Sequence, residues 1–125
     1  MAKCILIVDD EPHVVKFLSF RLQRLGYEIR TAVDGQKAME SVREKKPDLM
    51  FLDLRIPMMN GYEVCRQIKS DPELKNIPVV FLTADANVTT NQDLERAHAD
   101  GCIIKPFDQE EINKFIGKFL NPAKP

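Results

Sequence analysis

The chain has 125 residues, which is one ordinary domain and enough for a single well-buried core. Its 18 Lys and Arg and 19 Asp and Glu are scattered along the chain and leave a formal net charge of -1, so there is no electrostatic footprint for nucleic acid or for an anionic membrane. No apolar run approaches the ~20 residues that a spanning helix needs, and the opening MAKCILIVDDEP does not read as a secretory signal, because acidic residues follow its short apolar stretch at once.

Short apolar runs alternate with amphipathic helical patterns five times. The first run, Cys4 to Val8, lacks polar alternation and predicts a strand covered on both faces. A helix is expected from Pro12 to Leu25: Pro12 suits a first-turn position, Val14, Phe17, Leu18, Leu22 and Leu25 recur at helical spacing, and Gly26 is a natural stop. A second strand follows around Glu28 to Ala32. Asp34-Gly35 opens a helix through Ala38, Met39 and Val42 that closes before Pro47. Leu49 to Leu52 is the third strand. Pro57 and Asn60-Gly61 mark a loop before a short helix carrying Tyr62, Val64, Cys65 and Ile68. Val79 to Leu82 is the fourth strand, Val88 to Ala97 a weakly apolar helix, and Cys102 to Ile104, after Gly101, the fifth strand. In the last helix Asp108 is placed to cap the N-terminus with Glu111 as capping-box partner, and Ile112, Phe115, Ile116 and Phe119 form one stripe. Residues 1–120 thus form one domain, and 121–125, NPAKP, a tail or the start of a linker.

Strands alternating with helices imply an α/β fold: a three-layer, doubly wound, five-stranded parallel sheet with right-handed crossovers. In such sheets the ligand site lies beyond the C-terminal ends of the strands, near the point where the strand order reverses. Strand one ends in Asp9, Asp10 and Glu11, strand three in Asp53, strand four in Thr83 and strand five in Lys105. Any one of these alone would be a cap, a turn residue or a surface charge. Together they place carboxylates, a hydroxyl and an ammonium on one edge. Clustered carboxylates repel unless a cation intervenes. A few hard oxygen ligands suit Mg2+, which keeps several waters and accepts a phosphate oxygen. Lys105 offers a point charge for phosphate and Thr83 a hydroxyl donor, leaving one carboxylate as nucleophile. Those are the requirements of phosphoryl transfer to an acyl phosphate.

Cys4, Cys65 and Cys102 are odd in number and far apart, which suits free buried thiols in a reducing cytoplasm better than disulfides or a zinc site. His13 and His98 stand in no ligand or triad pattern and read as surface residues.

The segments VDDE, LDLRIPMMNG, FLTA and KPF, in this order on these strands, resemble the receiver domain of bacterial two-component response regulators over essentially the whole chain. The resemblance implies the sheet order 2-1-3-4-5 of the flavodoxin-like fold, for which a chemotaxis receiver is a stock example. It implies Asp53 as phospho-acceptor, Mg2+ held directly by Asp10 and Asp53, through water by Asp9, and by the backbone carbonyl of Arg55. Thr83 and Lys105 would bind the phosphoryl oxygens, Lys105-Pro106 would be cis, and Gly61 would ease the turn into the third helix. The expected partner is a sensor histidine kinase or histidine phosphotransfer protein, docking near the acid site at Val14, Phe17, the turn Pro57 to Met59 and Phe107. Such a protein modifies its own side chain and slowly loses the phosphoryl group, so it is not an enzyme in the turnover sense. Arg55 and Asp85, two residues beyond the acceptor and the threonine, have opposite charges that could pair across the mouth of the site. One position departs from the family pattern: an aromatic residue usually stands three before the lysine, and here it is Cys102, which puts the usual coupling to the outer face of the last helices in doubt.

Two rivals remain. Haloacid-dehalogenase-type phosphatases also use a strand-end Asp, but with a second Asp two residues on, where this chain has Arg55. A degenerate, phosphate-independent receiver would not need the intact set Asp9, Asp10, Asp53, Thr83 and Lys105. The short tail suggests a free-standing regulator or a piece of a longer protein.

Overall fold

A computed structural model describes residues 3–84 and 97–120 of the chain. Five strands form one parallel sheet: β1 (Cys4–Val8), β2 (Glu28–Ala32), β3 (Leu49–Asp53), β4 (Val79–Thr83) and β5 (Gly101–Ile104). Their order is β2-β1-β3-β4-β5, as expected. Four helices are described: α1 (Pro12–Arg24), α2 (Gly35–Glu44), α3 (Gly61–Ser70) and α4 (Gln109–Phe119). The expected helix from Val88 to Ala97 lies outside the described residues except for Ala97, which is buried. Among the described residues no helix is long and apolar enough to cross a membrane.

The central strands are apolar without a break because both faces are covered. On one face Leu6, Val8, Met50, Leu52, Val79 and Phe81 pack with Ala38, Met39 and Val42 of α2 and Val64, Cys65 and Ile68 of α3. On the other, Ile5, Ile7, Leu49, Phe51, Val80 and Leu82 pack with Leu18 and Leu22 of α1 and Ile112 and Ile116 of α4. Successive residues of a strand thus serve opposite layers, the period-two geometry of a pleated strand. β2 is an edge and is more polar, with only Ala32 fully buried.

The stripe on α1 is narrower than its spacing predicts. Leu18 and Leu22 are buried, but Phe17 is 40% and Leu25 56% exposed. Leu25 is the C-cap, one residue beyond the last helical residue Arg24, and the chain leaves through Gly26 at φ +96°. Phe17 lies a turn from Val14 but to one side of the Leu18–Leu22 line, where it faces Phe107 instead of the sheet. On α4 the stripe holds in part: Ile112 and Ile116 are buried and Phe115 and Phe119 half-buried. Asp108 Oδ1 accepts the Glu111 N–H at 3.1 Å, so the predicted cap is made.

The chain moves from β1 outward to β2, then crosses to β3 on the far side of β1. The switch point therefore lies between β1 and β3, whose C-terminal ends carry Asp9 and Asp53.

Candidate functional site

Asp9, Asp10 and Asp53 converge at that edge, each offering a carboxylate oxygen within 4.8 Å of the others. Asp9 follows the last residue of β1 and is fully buried; Asp53 is the last residue of β3 and nearly so, while Asp10 is exposed. Asp9 Oδ1 accepts the Glu11 N–H at 2.9 Å, and Asp53 Oδ1 accepts the Arg55 N–H at 3.0 Å. Each buried carboxylate is thereby held by its own loop, with its other oxygen turned toward the cleft.

Lys105, one residue past β5, spans the cleft. Its Nζ lies 2.8 Å from Asp9 Oδ2, 3.0 Å from Asp53 Oδ2 and 3.0 Å from Glu11 Oε1. Burial pulls the Lys105 ammonium toward neutrality, but the bonds to Asp9, Glu11 and Asp53 outweigh it and hold its pKa above the ordinary lysine value. Burial pushes the Asp9 carboxyl up, and the nearby Asp53 charge adds to this, against the opposing pull of Lys105 and the Glu11 N–H. Glu11 is pulled down by its hydrogen bond to Lys105.

Thr83 ends β4, is buried, and its carbonyl accepts the Lys105 N–H at 2.7 Å, so the threonine and the lysine are joined through backbone. The Lys105-Pro106 peptide is cis, as expected. Arg55 has an exposed side chain; the expected pair with Asp85 lies outside the described residues. His13 and His98 are both on the surface, as read from the sequence. Cys4 and Cys65 are buried free thiols and Cys102 is half-buried against the α2–α3 layer.

Glu11, which the sequence places at this edge but without a role, joins the working set. It stands at the N-cap of α1 but makes no side-chain cap there; its carboxylate goes to Lys105, with His13 Nε2 3.5 Å away. Ser, Thr, Asp or Asn would be the usual cap, and a Glu just before Pro12 does not by itself point to Lys105. Gly61, expected to ease the turn into the third helix, is required there by a close approach: a Cβ would lie 2.6 Å from the Asp53 carbonyl oxygen and 2.8 Å from Leu54 Cα.

A cleft of about 530 Å³ opens beside the carboxylates, lined by Glu11, Val14, Phe17, Ala84, Lys105 and Phe107 among others. Three of the four expected docking positions, Val14, Phe17 and Phe107, line this cleft. The fourth, the turn Pro57 to Met59, is not among its walls, although Met58 is 74% exposed.

The donor set is all hard oxygen, in a pocket where carboxylates outnumber ammonium groups, which fits Mg2+. Residues 5–117 match the response regulator receiver domain family, and the chain belongs to that family. It is 40% identical over 125 residues to the alkaline phosphatase synthesis transcriptional regulatory protein PhoP of Bacillus subtilis, covering 99% of this chain and 51% of that protein. The chain thus spans about half the length of the curated relatives it matches. Among solved structures, chemotaxis response regulator CheY4 of Vibrio cholerae superposes with a TM-score of 0.87 at 28% identity, over 95% of this chain and 99% of that one. The receiver domain of sensor histidine kinase PA1611 from Pseudomonas aeruginosa PAO1, described with a magnesium ion coordinated in its active-site cleft, superposes with a TM-score of 0.87 at 26% identity, over 97% and 99%.

Proposed function

We propose that this chain accepts a phosphoryl group on Asp53 from a phosphohistidine of a sensor histidine kinase or histidine phosphotransfer protein, changes conformation, and slowly loses the group to water. The observation that carries this reading is the convergence of Asp9, Asp10 and Asp53 with Lys105, whose ammonium is 3.0 Å from the Asp53 carboxylate. An Asp53 carboxylate oxygen attacks phosphorus as the phosphorus–nitrogen bond to imidazole breaks. The electron pair stays on the ring nitrogen, which takes a proton, and Asp53 becomes an acyl phosphate. Asp10, Asp53 and the Arg55 carbonyl would hold Mg2+ directly and Asp9 through water; the ion supplies charge neutralisation for the phosphoryl oxygens. Lys105 and Thr83 then bind equatorial oxygens, with Lys105 exchanging part of its contact with Asp9 and Glu11 for one with the phosphoryl group. The cleft bounded by Val14, Phe17 and Phe107 gives the partner an apolar seat beside the acceptor, where it can present its imidazole. The location that fits is the reducing cytoplasm, where the three free thiols persist.

Incubation with acetyl phosphate and Mg2+ should give a single phosphoryl adduct by intact mass. EDTA should abolish it. An adduct that persists in Asp53→Ala would sink the assignment, and sustained turnover of a phosphate ester would favour a hydrolase instead.

A further inference from the structure

The loop from Leu54 to Asn60 carries the backbone just beyond the acceptor, and its shape depends on an element remote in sequence. Its base is closed by the Gly61 N–H to the Leu54 carbonyl at 3.1 Å. Its tip is a three-residue γ-turn: the Met59 N–H returns to the Pro57 carbonyl at 2.8 Å, across Met58 at φ 71°. That backbone region disfavours a residue with a Cβ, and the Met58 side chain is 74% exposed, so it has little packing of its own to hold it there.

What holds the tip is the start of α2. The Pro57 carbonyl accepts a second N–H, that of Gly35, at 3.1 Å. Gly35 is buried, and a Cβ built on it would lie 2.6 Å from Met59 Cβ and 3.0 Å from the Met59 carbonyl carbon, with the Met59 carbonyl oxygen closer still. Two of those three atoms are backbone, so no side-chain rotation relieves the clash. A methyl at position 35 requires Met59 to withdraw by about 0.8 Å at Cβ, from 2.6 Å to the 3.4 Å of ordinary contact. Met59 is half-buried against the α2–α3 core, so withdrawal moves the loop.

We infer that Gly35 is a positioning residue for the acceptor loop: its N–H and its missing side chain fix Pro57 to Met59, and through them the backbone at Asp53 and Arg55, in the geometry the cation site needs. The inference rests on the Mg2+ site proposed above. Mg2+ demands near-ideal octahedral geometry, so a loop displaced by a large fraction of an ångström weakens its hold.

The test is a Mg2+ titration of the full chain followed by amide shifts. Gly35→Ala should raise the Mg2+ dissociation constant by about tenfold or more, the range typical when outer supports of a metal site are lost. Gly117→Ala, whose Cβ meets nothing within 4 Å, should leave it unchanged. In the wild type the Gly35 amide should shift along the titration with the same dissociation constant as the Asp53 and Arg55 amides. A folded Gly35→Ala variant with the wild-type dissociation constant overturns the inference, because a glycine needed only for packing would lower the melting temperature and leave the ion's affinity alone. If that variant does not fold, the wild-type Gly35 amide decides, and a flat response overturns it. A wild-type chain that binds no Mg2+ removes the cation site and this inference together, an outcome distinct from loss of the Gly35 effect alone.

Discussion

Replacing Lys105 with Met should destabilise the metal-free protein and make Mg2+ a stronger stabiliser than it is for the wild type. Met keeps most of the lysine's volume and removes its charge, so the change isolates electrostatics. Lys105 Nζ is 2.8 Å from Asp9 and 3.0 Å from Asp53, both shielded from water, and the lysine side chain is itself only 10% exposed. Removing one partner of such a buried group costs about 3–5 kcal/mol. The Glu11 contact adds little, since Glu11 is 45% exposed. Asp9 and Asp53 keep the backbone N–H bonds from Glu11 and Arg55, which favours the lower end, about 3 kcal/mol. For a chain of this size that is a fall in melting temperature of roughly 10 °C. Mg2+ at about 100 times its dissociation constant adds about 2.7 kcal/mol to any protein with one native site. In Lys105→Met the carboxylates no longer share their charge with an ammonium, so the ion binds more tightly and its increment at the same concentration is larger. Thermal melts of both proteins in EDTA and in Mg2+ give all four values. Equal stability of the two proteins in EDTA, or an equal Mg2+ increment, would refute the idea that Lys105 serves as the site's internal counter-ion.

Two further outcomes are expected. Burial pushes the Cys65 thiol up to about 12 from the ordinary 9.0; the folded state therefore keeps a proton that the unfolded chain gives up, and stability should fall as pH rises from about 9 to about 12, by at most roughly 4 kcal/mol. Lys105, raised above 10.5, adds a loss of the same sign in the upper part of that window. Urea melts across the range should show a shallower decline in Cys65→Ala than in the wild type, and parallel curves would remove the thiol from the account. With beryllofluoride as phosphoryl mimic, amide shifts between Thr83 and Phe119 should change less in the wild type than in Cys102→Tyr, because the half-buried Cys102 is too small to carry the packing change of an aromatic side chain; equal changes would mean that the loops move without it.

The layers were legible because a parallel sheet buried on both faces leaves unbroken apolar runs, and CILIV, LMFL and VVFL are such runs. The site was legible because residues ending strands of one parallel sheet must share an edge, so Asp9, Asp53, Thr83 and Lys105 could be placed together before any coordinate was known. Helical spacing was a poorer guide on α1. It marks one side as apolar but does not say how wide a strip the sheet covers, so Phe17 and Leu18 look alike in sequence and only Leu18 is buried. The Glu11–Lys105 contact joins residues 94 positions apart and depends on where α1 begins. The γ-turn at Met58 had no sequence signal, since Met is not a residue of left-handed backbone. Its partner was visible only as an ordinary Asp-Gly helix start at Asp34-Gly35.

The charges of the site show why a divalent cation, if held there as proposed, would act together with the lysine. Asp9, Asp10 and Asp53 against Lys105 leave two negative charges uncompensated, and Glu11 shares the same ammonium. Part of that excess is tolerated because Asp10 faces water, while Asp9 and Asp53 take backbone N–H bonds as well as the lysine. A doubly charged cation brings the three aspartates and the lysine to neutrality. In the reading proposed above, a phosphoryl group on Asp53 would replace one negative charge by nearly two, and Lys105 would move its contact from Asp9 and Glu11 toward the new oxygens. The Lys105 backbone N–H is bonded to the Thr83 carbonyl, so the lysine is rooted at the end of β4 beside the threonine. Glu11 ties the start of α1 to the same ammonium, so in the reading proposed above a move of Lys105 toward the phosphoryl oxygens would release that tie. Val14 and Phe17, where the partner is proposed to sit, line the cleft on that side, so the same move would favour release of the donor after transfer.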